Sequence, residues 1–180
     1  MDIILLFLVL LIVCGLFLIG IFLLALILVI FDIIWFFKTK IPFGRSNIKI
    51  VKEFLDNLDL TDKIFIDLGS GDGAIIFEAV KRGARGIGYE INPLLYYLSL
   101  IKGKFLGYKN FKFYKEDFRK ADIKNADYIY LYLTPRALNE ISDFIFENCK
   151  EDCKIITFDF RFYGKEPIEI FKNRIFVYKK

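Results

Sequence analysis

A chain of 180 residues is long enough for one domain with a substantial core, and a formal net charge of +4 is far from that of a polyelectrolyte. The chain has no histidine and only three cysteines, Cys14, Cys149 and Cys153. That excludes Ser/His and Cys/His nucleophilic arrangements and argues against a zinc site or a disulfide framework. Hydrophobic residues make up 56% of the chain, high for a soluble domain, and the excess sits at one end.

That end comes first. No residue from Ile3 to Phe31 is charged; Asp32 interrupts, and Ile33 to Phe37 resume. A bilayer core takes about 20 apolar residues in a helix, so residues 1–37 are predicted to form one N-terminal transmembrane helix. A cleaved signal peptide fits poorly. No basic region precedes the apolar run, the run is too long, and no small-x-small cleavage site is evident. Every Lys and Arg follows the run, starting with Lys38, Lys40 and Arg45. The positive-inside rule then places Met1 outside and the rest of the chain in the cytoplasm. Asp32 falls near that boundary, within reach of Lys38 or Lys40. Gly15 and Gly20 are five apart and form no G-x-x-x-G face. From residue 38 onward all 26 basic residues and 20 of the 22 acids remain, a net charge of +6. This suits an anionic membrane surface. Nucleic acid is the weaker reading, because no block of five or more Lys/Arg occurs.

Residues 38–60 read as linker and lead helix. Pro42 and Gly44 break the linker. Ser46 is placed to cap a helix reaching Asn57, with Ile48, Val51, Phe54, Leu55 and Leu58 at helical spacing. Residues 61–180 then alternate strand and helix. Strands are predicted at 64–68, 86–90, 111–114, 127–133 and 154–159, and helices at about 74–82, 93–106 and 136–149. Residues 168–171 and 174–178 are predicted to pair as a closing hairpin around Lys172-Asn173. The βαβ rhythm implies an α/β fold with a doubly wound, mostly parallel Rossmann-like sheet and an antiparallel C-terminal hairpin. The run Asp127 to Leu133 is almost continuously apolar, as expected of a strand buried on both faces. Cys149 and Cys153 read as reduced, buried thiols.

The most informative segment is Phe65-Ile-Asp-Leu-Gly-Ser-Gly-Asp-Gly-Ala-Ile-Ile76. A strand ends at Asp67, glycines 69, 71 and 73 make a turn, and a helix starts at Ala74. Such a loop brings backbone N–H groups and a helix N-terminus close to a ligand. A dinucleotide-binding loop is one option, since Gly69, Gly71 and Ala74 satisfy G-x-G-x-x-A and Glu90 lies 21 residues on. S-adenosylmethionine (SAM) is the other. Its ligand end is an amino acid with an ammonium group, and it carries no pyrophosphate. Asp67 at the strand end and Asp72 within the loop suit the ammonium and repel a pyrophosphate. Acids recur at the ends of the next strands: Glu90, placed to accept both ribose hydroxyls, and Asp117. Each acid alone could be a cap or a solvated strand end. Their repetition along one edge of a parallel sheet favours SAM.

With these motifs in place, the chain from about Ile41 onward resembles the small class I SAM-dependent protein-lysine N-methyltransferases. These include the enzymes that modify the ATP synthase c-subunit and the adenine nucleotide translocase, and a soluble archaeal enzyme. The likeness rests on Asp67-Leu-Gly-Ser-Gly-Asp-Gly73, Lys81-Arg-Gly83, Gly88-Tyr-Glu-Ile-Asn-Pro93 and Phe113-Tyr114 with Asp117. The apolar lead segment also has a counterpart in that family. The lead motif departs from the family's: Pro42-Phe43 match, but Gly44-Arg45 replace the next pair and Ser46 stands where Thr is common. The stretch after the fourth strand, Thr134-Pro135-Arg136, follows the family only loosely. The helix such enzymes carry before the last hairpin is expected to be missing or reduced, because only eight residues separate Asp159 from Ile168.

The resemblance implies SAM as cofactor and no metal. It implies cofactor contacts at Asp67, Gly69, Gly71, Glu90 and Asp117, the last meeting the adenine amino group. Asn92 joins them through the second-strand motif, and Asp72 and Gly73 shape the loop. The methyl and its acceptor would lie near Thr134 and Pro135, with Phe43 and Tyr132 as walls. The implied reaction transfers a methyl group to a lysine of a membrane-associated protein. Without a transit-type leader, the membrane is expected to be a prokaryotic plasma membrane. Three rivals remain open: a methyltransferase of a lipid or quinone, a non-catalytic SAM-binding module, and a nicotinamide oxidoreductase. A nucleic-acid amino-methyltransferase is disfavoured, because no Asn/Asp-Pro-Pro-aromatic motif ends strand four.

Overall fold

The computed structural model describes residues 3–39 and 46–180. Residues 40–45, and with them Pro42, Phe43, Gly44 and Arg45, lie outside the described part, as do the side chains of Asp32 and Lys38. The chain divides into two units, residues 1–42 and 43–180. In the first, helix α1 (Ile3–Thr39) runs past the expected end at residue 37. Its Ile3–Ile30 stretch is long and apolar enough to cross a membrane, by length and composition.

The second unit follows the order α2 (Ile48–Leu55), β1 (Ile64–Leu68), α3 (Ala74–Lys81), β2 (Arg85–Tyr89), α4 (Pro93–Phe105), β3 (Phe111–Tyr114), β4 (Tyr128–Leu131), α5 (Pro135–Asn148), β5 (Lys154–Phe158), β6 (Glu169–Phe171) and β7 (Ile175–Lys179). A 3-10 turn, Phe118–Lys120, follows β3. The seven strands form one sheet in the order β3-β2-β1-β4-β5-β7-β6. β1 to β5 are parallel, and β7 pairs antiparallel with both β5 and β6. This is the doubly wound, mostly parallel sheet with an antiparallel closing hairpin that the sequence predicts. The hairpin turns at Lys172 and Asn173, both with positive φ (47° and 53°). Two consecutive left-handed residues give a turn whose twist matches that of its strands. No helix interrupts residues 159–168.

Strand periodicity splits the core in two. On one face Ile66, Leu68, Ile129, Leu131 and Ile155 pack against Leu138, Ile141 and Ile145 of α5. On the other, Phe65, Tyr128, Tyr130, Ile156 and Phe158 pack against α2 and α3 through Val51, Phe54, Leu55, Ile75 and Ile76. All four residues of β4 are buried, which accounts for its nearly unbroken apolar sequence. Asp127, just before β4, ties the sheet's base together. Its carboxylate accepts from the Ile64 N–H at 2.7 Å and from Lys150 Nζ at 2.6 Å.

Two boundaries differ from expectation for a physical reason. Asn47, and not Ser46, caps α2; its side-chain oxygen accepts from the Lys49 N–H at 3.2 Å. Ser46 is drawn away because its hydroxyl accepts a hydrogen bond from Tyr130 Oη at 2.7 Å. β4 stops at Leu131, short of the expected 133. Thr134 takes an extended conformation as the cap of α5, and Pro135 starts the helix, where its missing N–H costs nothing.

Candidate active site

The site lies where β1 meets the glycine turn. Gly69, Gly71 and Gly73 all have positive φ, at 90°, 55° and 76°. Space adds a second demand at Gly73, where a Cβ would lie 2.6 Å from Phe113 Cζ. Gly88 of β2 is packed as tightly: a Cβ there would come within 2.5 Å of the Phe113 ring and 2.6 Å of Ser70 Oγ. The turn is pinned to β2 by its backbone. The N–H groups of Gly69 and Ser70 both donate to the Tyr89 carbonyl, at 2.9 and 3.0 Å.

Glu90 ties this turn to the start of α4. One carboxylate oxygen accepts from the Gly71 N–H at 2.8 Å and the other from the Asn92 N–H at 2.7 Å. Asn92 caps α4, its side-chain oxygen accepting from the Leu94 N–H at 2.9 Å. Burial raises the Glu90 pKa, against the pull of these N–H donors. Asp67 is 3% exposed. Burial, followed by the nearby charges of Glu90 and Asp72, pushes its pKa well above the usual carboxylate range. Asp72 accepts from the Ala74 N–H at 3.3 Å and pairs with Lys102 Nζ of α4 at 3.2 Å.

A cavity of about 240 Å³ opens here, lined by Asp67, the turn from Gly69 to Asp72, and Lys102; Ser46, Ile48, Ala74, Ile75, Tyr130 and Tyr132 complete its wall. Of the residues singled out in the sequence, Asp67, Gly69, Gly71, Asp72 and Tyr132 line it. Gly73, Glu90 and Asn92 stand behind it as the turn's support. Asp117 is not in the lining. It caps the 3-10 turn and is gripped by Arg119, with both oxygens within 3.0 Å of Nε and one 2.6 Å from Nη2. Arg119 holds its carboxyl below the usual range. Thr134 and Pro135 are exposed and also lie outside this cavity. Thr134 Oγ1 accepts from the Ala137 N–H at 3.4 Å. Pro135 borders a separate cavity of about 310 Å³ with Asn139 and residues 161–166.

Tyr130, Ser46 and Lys102 are among the cavity residues that sequence reasoning missed. Tyr130 had one available signal: it is in phase with Tyr132, one residue past the end of β4, and both pack on the α2–α3 face. Nothing local marks Lys102, which reaches Asp72 across 30 residues of sequence.

The residues fit SAM. A buried carboxylate at the strand end would face the sulfonium and ammonium of such a ligand, and the glycine turn has three left-handed residues. Ser70 lines the same cavity, and its Oγ is buried without a hydrogen-bond partner. A buried hydroxyl left unpaired costs free energy that a ligand atom can recover. The fold and this turn are those of a class I, SAM-dependent methyltransferase domain. The chain belongs to the ANTKMT methyltransferase domain family, whose sequence profile it matches over residues 67–169.

Relatives agree on the class. The chain is 27% identical over 135 residues to the ATP synthase c-subunit lysine N-methyltransferase of Xenopus laevis, covering 74% of this chain and 60% of that protein. It is 23% identical over 135 residues to the mouse adenine nucleotide translocase lysine N-methyltransferase, covering 74% and 59%. The chain thus spans about three-fifths of the length of these two relatives. Among solved structures, an RNA methyltransferase from Salinibacter ruber in complex with S-adenosyl-L-homocysteine superposes with a TM-score of 0.68 at 26% identity. The match covers 77% of this chain and 92% of that one.

Proposed function

We propose that this protein is a membrane-anchored, SAM-dependent methyltransferase whose acceptor is a lysine side chain of a membrane-associated protein. The observation that carries the reading is the cavity itself. It joins the buried Asp67 and the left-handed turn to the aromatic wall of Tyr130 and Tyr132. When bound there, SAM supplies a methyl group on a cationic sulfonium. Asp67, Gly69, Gly71 and Asp72 would hold it, with Glu90 and Asn92 fixing the turn and Gly73 letting it close. Asp117 would reach the adenine only by yielding part of its Arg119 fork.

The acceptor amine must arrive neutral, whereas a free lysine titrates near 10.4. Burial beside Tyr130 and the half-buried Tyr132 would strip water from the amine, which favours its neutral form. With no histidine in the chain, the proton is left to water. The chain's own contribution is then positioning and desolvation. Thr134 and Pro135 are assigned to the acceptor's approach, because they follow β4 at the same edge of the sheet.

In this reading residues 1–37 are the anchor, 38–60 the linker and lead helix, and 61–180 the catalytic domain. The absence of any Lys or Arg before residue 38 supports an outside N-terminus and a catalytic domain on the cytoplasmic side, where SAM is made.

The test incubates the full chain with methyl-labelled SAM and membranes of the cell that makes it, then counts protein, lipid and RNA separately. Label on a protein, traced to lysine by mass spectrometry, is the expected result. Label in lipid alone would replace the acceptor with a lipid or quinone. Label in RNA alone would favour the chemistry named for the Salinibacter relative.

A further inference from the structure

Helix α4 is buried along one side only. Ser99 and Gly103 face the sheet, and at Gly103 a Cβ would lie 2.4 Å from the Phe111 ring. The other side is apolar and open. Tyr97, Leu98, Ile101 and Phe105 are 53%, 44%, 66% and 88% exposed. At 100° per residue these four, with the half-buried Leu94 among them, fall in a single arc. Lys104 borders the arc on one side and Lys102 on the other. Four large apolar side chains clustered in the open are not the scattered exposure of an ordinary surface.

We propose that this face of α4 docks flat on the surface of an anionic lipid bilayer. The charge around it decides between partners. From Ile91 to Lys115 there is no acidic residue and there are five lysines, at 102, 104, 109, 112 and 115. Lys102 is engaged by Asp72; Lys104, Lys109 and Lys115 are exposed, Lys115 Nζ lying 5.8 Å from the Tyr97 ring, whereas Lys112 alternates with Phe111 and Phe113 and points to the other face of β3. An apolar stripe of Leu, Ile, Phe and Tyr rimmed by lysines is the composition of a helix lying in the interfacial plane. There the rings and aliphatic chains enter the headgroup boundary, and the lysine stems extend toward lipid phosphates. A second copy of the chain is a poor occupant, because its facing surface would bring like charges together. The same chain carries a helix long enough to cross a bilayer, so the surface in question is at hand. The inference stands whether or not the acceptor is a lysine.

The experiment places an environment-sensitive fluorophore on the full chain at Ile101→Cys, with Cys14→Ser to remove the exposed thiol of α1; Cys149 and Cys153 are buried. The protein is reconstituted, one chain per disc, in nanodiscs of phosphatidylcholine alone or with about a third of phosphatidylglycerol. A matched label at Asp143→Cys, exposed on α5, reports the opposite helical layer. The expected result is a blue shift and roughly threefold or greater brightening at position 101 in anionic discs only. It should be reversed by 0.5 M salt (about a 4 Å Debye length) and by Phe105→Glu, with position 143 aqueous throughout. Triple replacement of Lys104, Lys109 and Lys115 by Gln should abolish the lipid dependence while leaving the surface apolar residues intact. An aqueous signal at position 101 in both lipids overturns the proposal. So does equal brightening in neutral and anionic discs. In a parallel preparation with two chains per disc, brightening that appears only there, whatever the lipid, would assign the face to self-association instead.

Discussion

The two halves of the sheet's carboxyl edge are built by different means. At β1 and β2 the site is held by backbone. Three left-handed glycines, two N–H groups on the Tyr89 carbonyl and two more on Glu90 leave the turn little freedom. At β4 the site is held by side chains from distant segments. Tyr130 reaches Ser46 across 84 residues, and Thr134 and Pro135 stand exposed at the start of α5. The contrast matches the proposed division between cofactor and acceptor. A cofactor common to a class is met by a backbone cradle that tolerates no change. An acceptor that differs from enzyme to enzyme is met by side chains, which can be exchanged without refolding the sheet.

The sharpest way to break this contrast is at the turn. Gly73→Val places a β-branched side chain at φ 76° and drives its Cβ into Phe113. The expected cost is roughly 2–5 kcal/mol of stability, with SAM affinity down about a hundredfold or more. Calorimetry of SAM binding and a thermal melt read both. A variant that binds SAM normally would show that the turn is not the cradle.

Asp67→Asn separates function from stability. The Asp67 pKa is raised in the folded protein, foremost by burial. Between the unfolded carboxyl's pKa, about 3.9, and the higher folded value, the folded chain holds a proton that the unfolded chain has released. Stability therefore falls as pH rises through that window, and the loss is complete above the folded pKa. Asn carries no such penalty, so without ligand the variant should melt higher than the parent at pH 7 and the gap should close toward pH 4. SAM affinity should drop by about tenfold or more, because the charge facing the ligand is gone. Melting curves across pH check the sign, and a gap that stays constant with pH would contradict the assignment.

Glu90→Gln keeps the shape but can offer only one carbonyl oxygen to two N–H donors. One charge-assisted bond lost is worth about 1.5–3 kcal/mol, and SAM affinity should fall by about tenfold. On the other half, Tyr130→Phe keeps the ring in the core and removes only its bond to Ser46. About 1 kcal/mol of stability should go, with SAM affinity unchanged and methyl transfer to the acceptor slowed, as measured by separate binding and turnover assays. The smallest effect is expected at Thr134→Ala. Losing this cap should cost about 1 kcal/mol of stability or less, since its bond to Ala137 is long, and SAM binding should not move. A turnover loss much larger than the stability loss would give Thr134 a direct role at the acceptor.

How much of the molecule is legible in its sequence depends on whether a feature is local. The strand–turn–helix at 64–81, the second-strand motif through Asn92 and the closing hairpin are short segments whose conformations follow from glycine, asparagine and apolar spacing. The cap of α2 reads as Ser46 in the sequence, because Ser and Asn are both good caps and stand side by side. Only the approach of Tyr130 decides which one is free for the helix. Asp117 reads in the sequence as an acid waiting at a strand tip. In the fold its carboxylate is occupied by Arg119, two residues away. Lys102 is one of many lysines until α4 lies beside the turn and brings it to Asp72.

By itself, then, the sequence determined the apolar first helix, the alternation of strands and helices, the glycine turn and the order of acids along one sheet edge. These depend on hydrophobic period and on backbone conformations that few residues can adopt. The tertiary structure alone decided which polar groups are already paired, which aromatic rings wall the cavity, and that one face of α4 is left uncovered. Those outcomes depend on distances between segments far apart in the chain, which no local pattern encodes.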